Sequence, residues 1–245
     1  MKEEVFNKWF SAFILVGMTV ALILTTAFKL GSAQTGGMLL LISAFGSLMG
    51  VLSTVCSANG WIITFLFGLL DVTLYGAMCF VNWNNGGSGL GNALLHAVYF
   101  IPMQFIGFAQ WKKRGAGSSS RVKARRLDFR QWVLLTAVFL AGTVVAYLIL
   151  ARFDKSGADT FIKVSVLLDV LPLMCNIIGQ YLMSTAYMDQ WIFWIGVNIS
   201  SIIMWSVALK DASNSYAAIY VVKYSFYLIN AFNGLRIWLE LSRQE

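Results

Sequence analysis

The stretch QWIFWIGVN, residues 190–198, opens an apolar run that is long enough to cross a lipid bilayer. At about 100° per residue, Trp191, Trp194 and Asn198 share one face of a helix. Two indoles and one amide on that face form an aromatic clamp with a hydrogen-bonding group, which suits a flat ring that carries a polar substituent. The stretch therefore predicts a membrane-spanning helix and, on one of its faces, a ligand site near the middle of the membrane.

The composition extends the membrane assignment to the whole chain. Of the 245 residues, 58% are hydrophobic and 12% are charged, whereas about 25% of a soluble domain is charged. We therefore predict one integral membrane domain over residues 1–245, with no separate soluble domain. Cys56, Cys79 and Cys175 form no CxxC pair, and a single His cannot build a multi-His metal site. We therefore expect neither a metal nor a cofactor.

Eight apolar segments have the roughly 20 residues that a membrane-spanning helix needs. They are residues 9–28, 37–55, 61–82, 91–111, 131–151, 162–184, 190–210 and 215–239. We therefore predict an all-α protein with eight transmembrane helices. Five tryptophans lie at the ends of predicted helices and fit the aromatic belts of a membrane protein: Trp9, Trp61, Trp111, Trp132 and Trp238.

The basic loop, residues 112–130, carries eight Lys and Arg residues against one acidic residue, Asp128. Because positively charged loops stay on the cytoplasmic side, we predict that this loop is cytoplasmic. An even number of helices then leaves both termini in the cytoplasm as well. The net charge of +7 comes largely from this loop, so the charge indicates orientation in the membrane and not nucleic-acid binding.

The chain contains an internal repeat. Trp61 aligns with Trp191 at a separation of 130 residues (191 minus 61), and Trp111 aligns with Trp238 at 127 (238 minus 111). Predicted helices 2–4 then correspond to helices 6–8. The arrangement is an extra N-terminal helix at 9–28, a first repeat at 37–111, a linking helix at 131–151 and a second repeat at 162–239. A 3+1+3 arrangement of this kind with parallel repeats is a transporter design in which substrate binds between the repeats.

Polar and ionisable side chains inside the predicted spans mark candidate functional positions, because they are costly in a membrane. The candidates are Asp71 and Tyr75 in helix 3, Gln104 in helix 4, Asn176 in helix 6, and Lys223, Tyr227 and Asn230 in helix 8. Asp71 could instead pair with Lys223 as a structural bridge, and Gln104 and Asn176 could join neighbouring helices through amide hydrogen bonds. Asp169 lies near the outer end of helix 6, where a structural or gating role competes with substrate contact.

The W-x-x-W-x-x-x-N motif at 191–198, the 3+1+3 arrangement and the basic loop before the linking helix resemble the PnuC family of bacterial vitamin transporters. The resemblance covers predicted helices 2–8 and implies a SWEET-like fold, a homotrimer and a location in the bacterial inner membrane. It also implies facilitated diffusion of nicotinamide riboside, which phosphorylation in the cytoplasm then traps. Carried onto this chain, the motif implies that Trp191, Trp194 and Asn198 bind the substrate.

Nicotinamide riboside has a cationic pyridinium ring, a carboxamide and a ribose, and the candidate residues match these groups. Indole faces attract flat cations, Asn198 can donate to and accept from a carboxamide, and Asp71 could balance the charge of the ring. A phosphorylated nucleotide should be rejected, because Lys223 is the only cation inside the membrane. The ribose could be bound by Gln104, Asn230 and Tyr75.

Two other transport functions stay open. Thiamine or riboflavin could be the vitamin, since thiamine also carries a cationic ring. An ion-coupled symporter could use Asp71 or Asp169 as its ion site, although the sequence contains no clear Na⁺ cage. An intramembrane enzyme is disfavoured, because it would need a nucleophile–base pair or a metal cluster, and this chain has one His and acids at different depths.

Overall fold

The structure, a computed structural model, describes residues 2–32, 37–84, 90–117, 120–152, 164–208 and 217–243. Within these residues the protein has eight helices and no strand, which confirms the predicted all-α class. The helices are α1 (Lys2–Ser32), α2 (Gly37–Ala58), α3 (Thr64–Asn84), α4 (Leu90–Leu95, a π-helical turn at His96–Phe100, and Ile101–Lys113), α5 (Phe129–Ala151), α6 (Val164–Ser184), α7 (Gln190–Ala208) and α8 (Ala217–Leu241).

Several helices have the length and hydropathy of membrane spans, in keeping with a multi-pass membrane protein. Among the described residues, five are long and apolar enough to cross a bilayer: Val5–Ala27, Leu41–Ala58, Thr64–Val81, Ala93–Lys113 and Phe129–Ala151. Two shorter apolar helices, Val170–Ser184 and Gln190–Met204, belong to α6 and α7.

The predicted start of helix 3 at residue 61 was three residues too early. α3 begins at Thr64, and a turn precedes it in which Gly60 has a φ of 72°. The N–H of Trp61 donates to the carbonyl oxygen of Cys56 at 3.0 Å, which closes the end of α2. Because glycine adopts positive φ without steric cost, the chain can leave the helix at Gly60.

The helices pack as two groups that meet along two seams. α3 packs between α2 and α4 in the first group, and α7 packs between α6 and α8 in the second. The groups meet where α2 contacts α8 and where α4 contacts α6, while α1 lies against α2 and α8, and α5 lies against α6. A ligand held between the groups would therefore contact side chains from both halves of the chain.

Trp111 and Trp238 are core residues, and their assignment to an aromatic belt was wrong. Both are fully buried, with ring centroids 5.3 Å apart. The Nε1–H of Trp111 donates to the carbonyl oxygen of Met183 at 2.7 Å, and that of Trp238 donates to the carbonyl oxygen of Ser57 at 2.9 Å. Each indole thus ties the last helix of one group to the first helix of the other. We call the cluster of Phe65, Trp111, Trp191 and Trp238 the basic-end core.

Part of the basic loop crosses this end of the bundle and contacts both groups. In this segment, residues 120–128, the N–H of Val122 donates to the carbonyl oxygen of Gly60 at 3.0 Å. The N–H of Arg125 donates in the same way to Ala186, also at 3.0 Å. Ala186 has a φ of 61° and thus repeats the turn at Gly60. The segment, which we call the basic strap, therefore joins matching turns of the two groups.

Candidate substrate site

The indole of Trp194 on α7 lies against the backbone of α6. A Cβ atom at Gly179 would be 3.3 Å from the Cε2 and Cζ2 atoms of Trp194, so only glycine leaves the ring undisturbed. The Nε1–H of Trp194 donates to Oε1 of Gln190 at 3.4 Å. The side chain is partly exposed. Trp194 is therefore held along one side and one edge, and part of its indole remains exposed.

Trp191 has different surroundings from Trp194, although the two share a helix face. It is only 2% exposed and belongs to the basic-end core. A Cβ atom at Gly234 would be 2.5 Å from the ring, and Trp238 packs against Trp191 edge-on at 6.3 Å. Asn198, one turn beyond Trp194, is buried. The structure thus places Trp191 at the base of the predicted face, with Trp194 and Asn198 further along α7.

Two of the candidate residues meet one turn of α2, residues 50–54. The carboxylate of Asp71 lies against Gly50, where a Cβ atom would be 2.9 Å from Oδ2. The Nδ2 amide of Asn230 donates to the carbonyl oxygen of Thr54 at 3.3 Å. α3 and α8 thus bring a carboxylate and an amide to the same point of α2, on the seam between the two helix groups.

Gln104 reaches the next part of that turn and carries an unsatisfied oxygen. The residue is 3% exposed, and its Nε2 donates to the carbonyl oxygen of Phe100 at 3.4 Å. Its Oε1 has no hydrogen-bond partner among the described residues. A Cβ atom at Gly68 would be 2.5 Å from this oxygen and 3.1 Å from the Ser53 hydroxyl. A buried acceptor without a donor costs about 1–3 kcal/mol, so this oxygen is a polar group that the described fold leaves unsatisfied.

Lys223 and Tyr227 of α8 lie near Asp71 of α3. The Nζ atom of Lys223 is 5.5 Å from the centroid of the Tyr227 ring, and Asp71 interacts electrostatically with both residues. These charges link the first helix group to the second within the apolar part of the bundle.

The remaining candidates lie in contacts of their own. Asn176 donates through Nδ2 to the carbonyl oxygen of Pro172 at 2.8 Å, within α6 itself. The ring of Tyr75 is 52% exposed and packs against His96 of α4 at 4.9 Å. The side chain of Asp169 lies outside the described residues. Tyr75 is therefore at the surface between α3 and α4, and the amide donor of Asn176 is already used.

Four contact residues of the site received no role from the sequence. They are Gly50 and Ser53 of α2, Gly179 of α6 and Gln190 at the start of α7. Three of them are small and belong to apolar runs, where hydropathy does not distinguish a contact position from its neighbours. The spacing of Gly50 and Ser53 at i and i+3 is the one signal that could have indicated a shared face of close helix contact.

The comparisons with known proteins agree with this architecture. The family described as "Nicotinamide mononucleotide transporter" matches residues 40–240. A solved structure, "Crystal structure of the Vitamin B3 transporter PnuC", superposes with a TM-score of 0.69 at 28% identity, and the match covers 96% of this chain and 92% of that one.

Two relatives extend the match at the level of sequence. The nicotinamide riboside transporter PnuC of Neisseria mucosa is 31% identical over 208 residues, which cover 83% of this chain and 73% of that protein. The PnuC of Haemophilus influenzae, with the same description, is 29% identical over 205 residues, which cover 83% and 81%. This chain therefore belongs to the PnuC family, whose members are membrane transporters and not enzymes.

Proposed function

We propose that this protein carries nicotinamide riboside across the bacterial inner membrane. The observation that supports this substrate most directly is the partly exposed indole of Trp194 on the backbone of Gly179. A cationic pyridinium ring stacked on that indole would gain about 2 kcal/mol or more once both surfaces leave water. The names of the relatives from Neisseria mucosa and Haemophilus influenzae point to the same substrate.

The polar residues around α2 supply partners for the rest of the molecule. Asn198 would bind the carboxamide, because an amide both donates and accepts. The free Oε1 of Gln104 would accept from a ribose hydroxyl, and Asn230 would hold the ribose from the side of α8. Asp71 would balance the charge of the positive ring. The same carboxylate also attracts Lys223.

We also propose that the helices form a SWEET-like 3+1+3 arrangement of parallel repeats. It is supported by the exchanged bonds of the basic-end core, in which Trp111 binds Met183 and Trp238 binds Ser57. The two acceptors are 126 residues apart (183 minus 57), and the two donors are 127 apart (238 minus 111). Matching hydrogen bonds at matching separations are what two copies of one motif would produce.

The same separation changes how α3 aligns with α7. Thr64 begins α3 and Gln190 begins α7, which are 126 residues apart (190 minus 64) and not 130. In this register the counterpart of Trp194 in the first repeat is Gly68, which lies against Gln104. The proposed site then has one aromatic platform and one amide wall, and the ligand lies asymmetrically between the repeats.

The transport mode and the assembly follow the family resemblance. We propose uncoupled diffusion, with both termini in the cytoplasm and trapping by phosphorylation there. The proposed homotrimer agrees with α5, which has no buried residue within a single chain and so leaves the face turned away from α6 for lipid or for neighbouring copies. The alternatives are an ion-coupled symporter and a carrier of thiamine or riboflavin. The following experiment distinguishes both from the proposed transporter.

With the membrane potential held at zero, proteoliposomes are expected to accumulate nicotinamide riboside only until the inner and outer concentrations are equal, with or without ion gradients. The mononucleotide should enter at least about tenfold more slowly, because an unpaired phosphate in the site would cost more than 1.4 kcal/mol. Initial rates with labelled riboside, mononucleotide, thiamine and riboflavin measure this preference. Comparable uptake of the mononucleotide would contradict the proposed selectivity, and accumulation driven by an ion gradient at zero membrane potential would contradict uncoupled transport.

Asp71→Asn is expected to weaken riboside binding by about tenfold, because the site loses the carboxylate that balances the pyridinium charge. It should also lower thermal stability, since Lys223 is left as an uncompensated charge. The double variant Asp71→Asn/Lys223→Met removes both charges and should recover the stability without recovering the affinity. Calorimetry and thermal unfolding in detergent measure the two effects. Wild-type affinity in the double variant would make Asp71 a purely structural partner of Lys223.

A further inference from the structure

Gln190 accepts a hydrogen bond from the indole N–H of Trp194, the one group of that side chain that can form such a bond. Its side chain is 0% exposed, and it lies at the first residue of α7. Its Oε1 accepts from the Nε1–H of Trp194 at 3.4 Å, and its Nε2 donates to the carbonyl oxygen of Tyr187 at 3.1 Å. We propose that Gln190 is a positioning residue that sets the angle of the Trp194 indole in the substrate site. This proposal rests on the proposed role of Trp194 in binding the pyridinium ring.

The two partners allow the amide of Gln190 only one orientation. An indole N–H can only donate, and a backbone carbonyl can only accept. With its amide reversed, Gln190 would place an NH₂ group against the indole N–H of Trp194 and an oxygen against the carbonyl oxygen of Tyr187. Both polar ends of Gln190 are thus committed, and the buried side chain cannot turn away from Trp194 without leaving a polar group unsatisfied.

Gly179 supplies the second constraint on the same ring. The indole of Trp194 lies close enough to the α6 backbone that a Cβ atom at Gly179 would be 3.3–3.4 Å from three ring atoms. One contact limits the face of the ring, and the bond to Gln190 limits its edge. Together they define the plane of the indole. A stacking platform with a fixed plane binds a flat ligand more tightly, because the ring does not lose rotational freedom on binding.

Gln190 is anchored to a rigid turn as well as to its own helix. The N–H of Tyr187 donates to the carbonyl oxygen of Leu182 at 2.8 Å, which closes the end of α6. The guanidinium carbon of Arg125 lies 4.2 Å from the centroid of the Tyr187 ring, a cation–π contact from the basic strap. The carbonyl oxygen that holds Gln190 therefore belongs to a turn fixed from two sides.

A double-mutant cycle with Gln190→Leu and Trp194→Phe tests the proposal. Phenylalanine keeps an aromatic face but has no N–H group, so Gln190 can no longer act through it. With otherwise wild-type protein, Gln190→Leu should weaken nicotinamide riboside binding by about fivefold in calorimetry, whereas in the Trp194→Phe background the same change should have almost no effect. Equal losses in the two backgrounds would overturn the proposal, because a general structural role would not depend on the indole N–H.

A measurement without ligand separates this proposal from the substrate assignment. In protein labelled with 5-fluorotryptophan, the Trp194 fluorine resonance can be assigned by its loss in Trp194→Phe. Gln190→Leu should shift and broaden this resonance and leave that of Trp9 unchanged, since Trp9 is 74% exposed on α1. An unmoved Trp194 resonance would overturn the positioning role even if the riboside binds, and a moved resonance would support it even if the ligand is another vitamin.

Glycine variants give a matched pair that leaves Gln190 in place. Gly179→Ala should also weaken riboside binding and shift the Trp194 resonance, because the new Cβ atom pushes the ring by a few tenths of an ångström. Gly196→Ala is the control on the neighbouring helix, since its Cβ atom would lie at an ordinary 3.5 Å from Sγ of Cys175. The proposal fails if the two variants affect the Trp194 resonance equally.

Discussion

Trp194→Ala is expected to weaken nicotinamide riboside binding by about thirtyfold or more, while the protein stays folded and inserted. The loss of a desolvated cation–π contact is worth about 2 kcal/mol, and 1.4 kcal/mol corresponds to a factor of ten. Trp194 is partly exposed and rests on Gly179, so the truncation removes the proposed stacking surface and leaves the buried members of the basic-end core in place. Calorimetry on purified protein measures the affinity, and thermal unfolding measures the stability.

Two other tryptophan variants serve as controls for this result. Trp9→Ala removes an exposed indole on α1 and should leave binding unchanged. Trp191→Ala should lower the thermal stability as well as the affinity, because that ring packs on Gly234 and Trp238 in the basic-end core. Unchanged affinity in Trp194→Ala would remove this residue from the site and with it the main support for the proposed substrate.

Gly107→Ala is expected to destabilise the protein by about 1–3 kcal/mol, the cost of overpacking a filled core. The added Cβ atom would be 2.2 Å from Cε1 of Phe65, far inside the 3.5–4.0 Å at which carbon atoms attract each other. The Phe65 ring cannot move freely, since it packs edge-on against Trp111 at 4.9 Å. The midpoint of thermal unfolding in detergent should fall accordingly.

A smaller side chain in place of Phe65 tests whether the steric clash causes that loss of stability. In a Phe65→Leu background, Gly107→Ala should cost clearly less than it does in the wild type, because the smaller side chain can give way. Gly196→Ala adds the same methyl group at an ordinary contact distance and should change stability little. An equal cost of Gly107→Ala with and without Phe65 would show that the clash is not its origin.

The all-α class, the number of helices and several residues of the candidate site were accessible from the chain alone. Runs of about 20 apolar residues predict membrane spans because the bilayer core has a fixed thickness. Helical periodicity then placed Trp194 and Asn198 on one face, and the cost of charge in a membrane singled out Asp71 and Lys223. In the fold these last two residues interact electrostatically, and a structural bridge between them stays a prediction.

The start of α3 and the environments of the tryptophans needed the folded structure. The predicted spans break between residues 55 and 61, but the turn at Gly60, with its positive φ, delays the start of α3 to Thr64. Trp111 and Trp238 have the same position at helix ends as Trp9, yet the first two are buried and the third is exposed. A belt residue and a core residue differ in what packs against them, and neighbouring helices supply that information.

By itself, then, the sequence determined that the chain forms a bundle of apolar helices with polar and aromatic residues on particular faces. Only the tertiary structure decided that Trp194 is partly exposed against Gly179 while Trp191 is buried, and that the oxygen of Gln104 faces Gly68 without a partner. The physical reason is that hydropathy and periodicity are properties of one helix at a time. Close packing at glycines depends on two helices at once, and it is there that the site takes its shape.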